Sequence, residues 1–234
     1  MRQVVLDTET TGLAADQGHR IIEIGCVELV NRRPTGRTLH LYLNPERAVD
    51  EAATEVHGMT WDDLRDKPRF ADVAARMLAF VDGAEVLIHN AAFDLSFLDS
   101  ELMRLGAPSF ASACTRVVDT LSMARELHPG KRNSLDALCD RYAVSNAHRT
   151  LHGALLDAEL LAEVYLAMTR GQDSFEIALD VEGPRSAGGA VVEWPPAGLR
   201  VLQACAREVA AHDALLDGIE AERRAAALWR AAPG

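Results

Sequence analysis

Val4-Val5-Leu6-Asp7-Thr8-Glu9-Thr10-Thr11-Gly12-Leu13 is the stretch whose reading decides the fold. Its β-branched, apolar start predicts a strand over 4–7, and Thr10-Thr11-Gly12 ends it. Side chains at i and i+2 of a strand share a face, so Asp7 and Glu9 project together at the strand's end. Two carboxylates that close repel unless a cation neutralises them. Hard divalent ions prefer oxygen ligands, so the pair suits Mg²⁺ or Mn²⁺. Taken alone, an Asp-x-Glu pair at a strand end is more often merely solvated.

Outward from this strand, residues 21–30 and 38–43 read as two more, forming a hairpin across the turn-formers Asn31-Arg32-Arg33-Pro34-Thr35-Gly36. From Phe70 the period changes: Val73, Met77, Leu78, Phe80 and Val81 recur at helical spacing until Asp82-Gly83. A buried strand over 85–89 follows, then helices over 93–105, 120–127, 134–142 and 153–168, with a short strand near 115–119. A hairpin followed by alternating strands and helices predicts an α/β domain with a mixed sheet. Residues 183–198 are dense in Gly, Pro and Ala and read as a linker. Beyond it Leu202, Cys205, Val209, Leu216 and Ile219 make an approximate helical stripe. That stripe suits either a helix docked on its own domain or a partner-binding tail.

Composition narrows the function. The 234 residues hold 24 Lys plus Arg against 35 Asp plus Glu, a net charge of −11. Phosphate-backbone binding rests on clustered cations, which argues against an autonomous duplex binder. Length allows one ample domain plus an appendage. The apolar runs are too short for a membrane span, and the chain goes from Met1-Arg2 directly into a strand with no apolar signal segment, so a cytoplasmic protein is expected. Cys26, Cys114, Cys139 and Cys205 stand singly, which suggests neither a zinc site nor a disulfide framework.

Two further acids sharpen the picture. Asp94 follows the fourth strand at a helix start, where open α/β sheets place ligand crevices, although a helix-capping acid is the commoner role there. Asp157 lies on the last domain helix among apolar neighbours, where a carboxylate buried alone would be costly. Five residues of helix turn by about 140°, so His152 must sit on the loop before that helix to face the same site. Gly153 would permit the bend.

The motifs Asp7-x-Glu9-Thr10-Thr11-Gly12, His89-Asn90-x-x-Phe93-Asp94 and His152-x-Ala154-x-x-Asp157 together resemble the DEDDh exonucleases. The longer strings VVLDTETTGL, HRIIEIGCVELVNRRPTG, IHNAAFD, PGKRNSLDALCDRY and RTLHGALLDAELLAEVYLAMT are similar to the proofreading epsilon-subunit family of bacterial DNA polymerase III. VAAHDALLD and LWRA continue the likeness into the tail.

The resemblance implies a ribonuclease-H-like, mixed five-stranded sheet with flanking helices. A 3′–5′ exonuclease domain would occupy residues 1–170, a flexible linker 171–198 and a C-terminal helical, partner-binding segment 199–234. Asp7, Glu9, Asp94 and Asp157 would hold two divalent metal ions, Mg²⁺ or Mn²⁺, with His152 as general base. Thr10, Thr11, Leu13, His57, Asn90 and Phe93 would hold a single-stranded or frayed 3′ DNA end, though Phe93 suits core packing equally. Lys131-Arg132-Asn133 suits a solvated loop as well as a strand contact.

Gln172, Phe175 and Ile177 have the form of a sliding-clamp peptide, weakened by Ile177 where an aromatic residue is usual. Leu228, Trp229 and Arg230 would anchor the chain to the polymerase alpha subunit, and a small accessory subunit is possible. An RNA-trimming exonuclease of the same superfamily shares the acids but leaves the tail unexplained. An inactive scaffold is disfavoured by the presence of all five site residues.

Overall fold

The computed structural model describes residues 1–147, 149, 151–170, 204–223 and 229. The chain divides into two compact units, Met1–Asp180 and Val181–Gly234. The first is built on strands β1 (Arg2–Thr10), β2 (Ile21–Val30), β3 (Arg33–Tyr42), β4 (Glu85–Ile88) and β5 (Arg116–Asp119), in the order β3-β2-β1-β4-β5. β1 runs antiparallel to β2 and parallel to β4, and β4 is parallel to β5. The mixed five-stranded sheet expected from the sequence is therefore present.

Helices cover both faces. Val4 and Leu6 of β1 belong to a core cluster shared with α3 (Phe70–Val81) and α4 (Ala91–Arg104). Val5 belongs to a second cluster, shared with α5 (Thr120–Leu127), α6 (Leu135–Tyr142) and α7 (Ala154–Met168). This is strand alternation distributing one apolar run between two layers.

Three local features depart from the sequence reading. β1 extends to Thr10, so both acids lie within the strand instead of at a ragged end. β3 resumes at Arg33, five residues earlier than expected. Asn31 and Arg32 alone close the hairpin, with φ of 48° and 62°, the left-handed pair of a tight two-residue turn. Pro34 is accommodated because β3 is an edge strand. The short helices α1 (Glu51–His57) and α2 (Trp61–Leu64) were not expected, being too brief to show a helical period.

In the second unit, α8 (Ala206–Arg223) carries Val209, Leu216 and Ile219 of the tail stripe. Gln172, Phe175, Ile177, Leu202, Leu228 and Arg230 lie outside the described residues. Among the described residues no helix is long and apolar enough to cross a membrane.

Candidate active site

Pairing between β1 and β4 ends at Val5 opposite Leu87, so from Leu6 onward the β4 side of β1 is left uncovered by the sheet. The cleft opens there. Alternation sends Asp7 and Glu9 to the α7 side, with Val5, while Thr8 turns to the α4 side. The Thr8 hydroxyl donates to Asp94 Oδ1 at 2.7 Å, fixing the acid of α4 against β1. Asn90, with φ of 67°, makes the left-handed turn that starts α4 directly after β4. Its backbone N–H donates to Asp119 Oδ1 at 3.2 Å, the same carboxylate that caps α5.

Asp157 arrives from α7, and the glycine that admits it is Gly25. Gly25 sits opposite Asp7 in the β1–β2 pairing. A Cβ there would overlap the Ala154 carbonyl and the Leu155 nitrogen, so only a glycine lets the first turn of α7 rest on β2. Gly153 is less demanding than its sequence suggested. Its φ of −151° and ψ of 129° are ordinary extended values open to any residue, so the bend at the start of α7 requires no glycine. His152 does stand on the loop before α7, its backbone N–H donating to Val56 O at 3.0 Å. One atom each from Glu9, His152 and Asp157 lie mutually within 4.8 Å, close enough to share an ion.

Electrostatics show how far this cluster departs from a solvated surface. Burial raises the Asp7 carboxyl well above its ordinary range, and Asp94, Glu9 and Asp157 add to the rise. Glu9 is pushed up to about 8, first by burial and then by Asp157 and Glu23. Asp94 is raised to about 7 by burial, against the hydrogen bond from Thr8. Three carboxylates whose charged forms burial disfavours, with Asp157 beside them, form a donor set suited to oxygen-seeking divalent ions.

These shifts fix a pH dependence. A carboxylate whose folded pKa exceeds its unfolded one contributes stability that is complete below the unfolded value and is lost as pH rises through the folded value. The buried imidazoles of His57 and His89, lowered by burial, act in the opposite sense only below about pH 6.5. The metal-free protein is therefore expected to melt at falling temperature between about pH 6.5 and 8, and saturating Mg²⁺ should reduce the decline. Calorimetry in EDTA checks this; a melting temperature that is flat or rising over that window would refute it.

One residue of the site was missed in the sequence. The Arg149 guanidinium, its side chain 6% exposed, grips Asp157 with Nε to Oδ1 at 2.5 Å and Nη2 to Oδ2 at 2.7 Å. Nη2 also lies 2.7 Å from His152 Nδ1, and Nη1 pairs with Asp136. The available signal was the one already noted, that a carboxylate on an apolar helix face needs a partner.

Two cavities meet at this point. A cleft of about 560 Å³ is lined by Asp7, Glu9, Asp94, Asp157 and His152, and continues past Asn90 to Arg125, Lys131 and Asn133. A more apolar one of about 710 Å³ is lined by Thr10, Leu13, Val56 and His57, and Glu9 and Phe93 border both. Leu13 is 87% exposed. Phe93 also packs on Phe97, ring centroids 5.0 Å apart, so it serves core and cavity alike. Of the residues expected to hold a strand end, Thr11 alone lines neither cavity. It is fully buried, its hydroxyl accepting from the Arg20 N–H at 3.0 Å and meeting His19 Nδ1 at 3.1 Å.

A ribonuclease-H-like sheet with carboxylates from β1, α4 and α7 around one cleft defines a metal-dependent nuclease. Residues 4–165 match the exonuclease family RNase_T. The chain is 51% identical to the DNA polymerase III subunit epsilon of Escherichia coli K12 over 239 aligned residues, covering 98% of each chain. It is 49% identical to that of Pasteurella multocida, over 97% of this chain and 93% of the other. Exonuclease X in complex with 5′ overhanging duplex DNA superposes with a TM-score of 0.58 at 24% identity, over 73% of this chain and 93% of that one. Exonuclease I superposes with a TM-score of 0.66 at 17% identity, over 74% and 42%. The chain belongs to the exonuclease family and, within it, to the DNA polymerase III epsilon subunits. It is a 3′–5′ proofreading exonuclease, a nuclease hydrolase acting on DNA.

Proposed function

We propose that the cleft removes the 3′-terminal nucleotide of a frayed or single-stranded DNA end as a 5′ mononucleotide, using two Mg²⁺ or Mn²⁺ ions. The observation that carries this is the convergence of Asp7, Glu9, Asp94 and Asp157 with His152 on one cleft beside an apolar cavity. Asp7, Glu9 and Asp157 would hold one ion and Asp94, together with Asp7, the other. When bound, such a pair lowers the pKa of an attacking water and stabilises charge on the phosphoryl group. His152 accepts the water's proton, a task suited to an imidazole near neutral pH. Leu13 and Phe93 offer apolar faces on which an unpaired base can stack regardless of its identity, with Thr10 and His57 beside them for the sugar. Asn90, at the mouth of the catalytic cleft, is placed to meet the adjoining strand.

The acidic charge fits a division of labour. Residues 1–170 hold 18 basic and 25 acidic side chains, so the grip on duplex DNA comes from a partner. Residues 199–234, with Leu228, Trp229 and Arg230, anchor the chain to the polymerase alpha subunit in the cytoplasm. Trp229 is 82% exposed, as an interface anchor must be before its partner arrives. Gln172, Phe175 and Ile177 make a weak sliding-clamp contact.

The test compares paired and mispaired 3′ ends, with and without the polymerase. Mispaired ends should be trimmed faster, and deleting residues 199–234 should spare hydrolysis of single strands while ending copurification with the polymerase. Equal rates on both ends would remove the frayed-end preference proposed for the cleft, and unchanged copurification would remove the anchor.

A further inference from the structure

Arg149 lines the cleft and touches Asp157, a proposed metal ligand, and His152, and three observations make it more than a surface cation. Its side chain is buried, it spans both oxygens of Asp157, and the same Nη2 reaches His152 Nδ1. A guanidinium has donors and no acceptor, so this last contact occupies the Nδ1 lone pair. The two groups it holds are the two that, among the described residues, lie close enough to share an ion with Glu9. We infer that Arg149 is the resident counter-ion of the metal-free site, holding Asp157 and His152 in place and giving way to the divalent ion that takes over Asp157.

The inference rests on the metal-site reading above. Burying Asp157 without a cation is costly, and the guanidinium, also paired with Asp136, supplies one before any metal arrives. An incoming ion needs at least one Asp157 oxygen, and His152 needs its lone pair free to take a proton. Together these require the guanidinium to withdraw from Asp157 and His152 while Asp136, more exposed, retains it. Arg149 is thus a positioning residue: it preorganises the ligands and weakens the affinity for the ion that replaces it.

The experiment measures Mn²⁺ binding by the paramagnetic signal of the free ion, and melting in EDTA and in saturating Mn²⁺, for wild type, R149M and R149K. R149M should bind Mn²⁺ about tenfold more tightly, the scale of one charge-assisted pair broken on metal entry. It should melt below wild type in EDTA and level with it in Mn²⁺. R149K, which keeps the charge but cannot span two oxygens, should shift in the same direction by less. Unchanged or weaker Mn²⁺ binding, with the same melting deficit in both conditions, would make Arg149 merely structural and overturn the inference. Failure of the wild type to bind Mn²⁺ would remove the metal-site reading and this inference together.

Discussion

Asp7→Asn should lower the rate of mononucleotide release by about a thousandfold or more, the upper scale for deleting one group that stabilises transition-state charge. Asp7 is the acid that meets all three others: Glu9, Asp94 and Asp157 each act on it. On the two-ion reading proposed above it would serve both ions, so a neighbour would not cover its loss. The substitution is nearly isosteric and removes a carboxylate that burial already disfavours in its charged form. Melting of the metal-free protein at pH 8 should accordingly stay level or rise. Loss of activity without loss of fold is the expected pair of results, read by single-strand hydrolysis and calorimetry on one preparation. Activity within tenfold of wild type would exclude Asp7 from the catalytic set.

Gly25→Ala should also be damaging, from a residue that lines neither cavity. The added methyl would overlap the Ala154 carbonyl and the Leu155 nitrogen, both backbone atoms with no rotamer to yield. α7 must then lift from β2, carrying Asp157 and the adjoining His152 away from Asp7 and Glu9. Overpacking of this kind costs about 1–3 kcal/mol in stability. A displacement on the order of 1 Å at a catalytic group costs about a hundredfold in rate. Gly153→Ala is the control, since that backbone is extended and the nearest atom to its Cβ, Glu23 Oε1, is 4.0 Å away. Loss of rate and melting temperature in the first protein and not the second would locate the constraint at the β2–α7 contact. Equal behaviour of the two would show that α7 tolerates the shift.

The chemistry of this protein was legible because it depends on local periodicity. The i, i+2 spacing of Asp7 and Glu9 needs only a strand to put them on one face. The five-residue step from His152 to Asp157 excludes a shared helix, which is why the loop position of His152 could be expected. Long-range contacts left weaker traces. Thr11 reads as a partner of Thr10 in the sequence, yet its hydroxyl is committed to His19 and Arg20. Gly153 stood out as permitting the bend because it adjoins the motif, while the necessary glycine, Gly25, lies in an apolar strand with nothing nearby to mark it.

By itself, the sequence determined the mixed α/β sheet and singled out four acids and a histidine that line one cleft, since strand and helix periods and the chemistry of carboxylates act over a few residues. Only the tertiary structure decided which residues hold those groups. It set Thr8 on Asp94, Gly25 under α7, and Arg149 across Asp157 and His152. Each of these depends on the separation of two backbones brought together from distant parts of the chain. Such a separation is fixed by how both sides of the sheet pack, and no short window of sequence contains it.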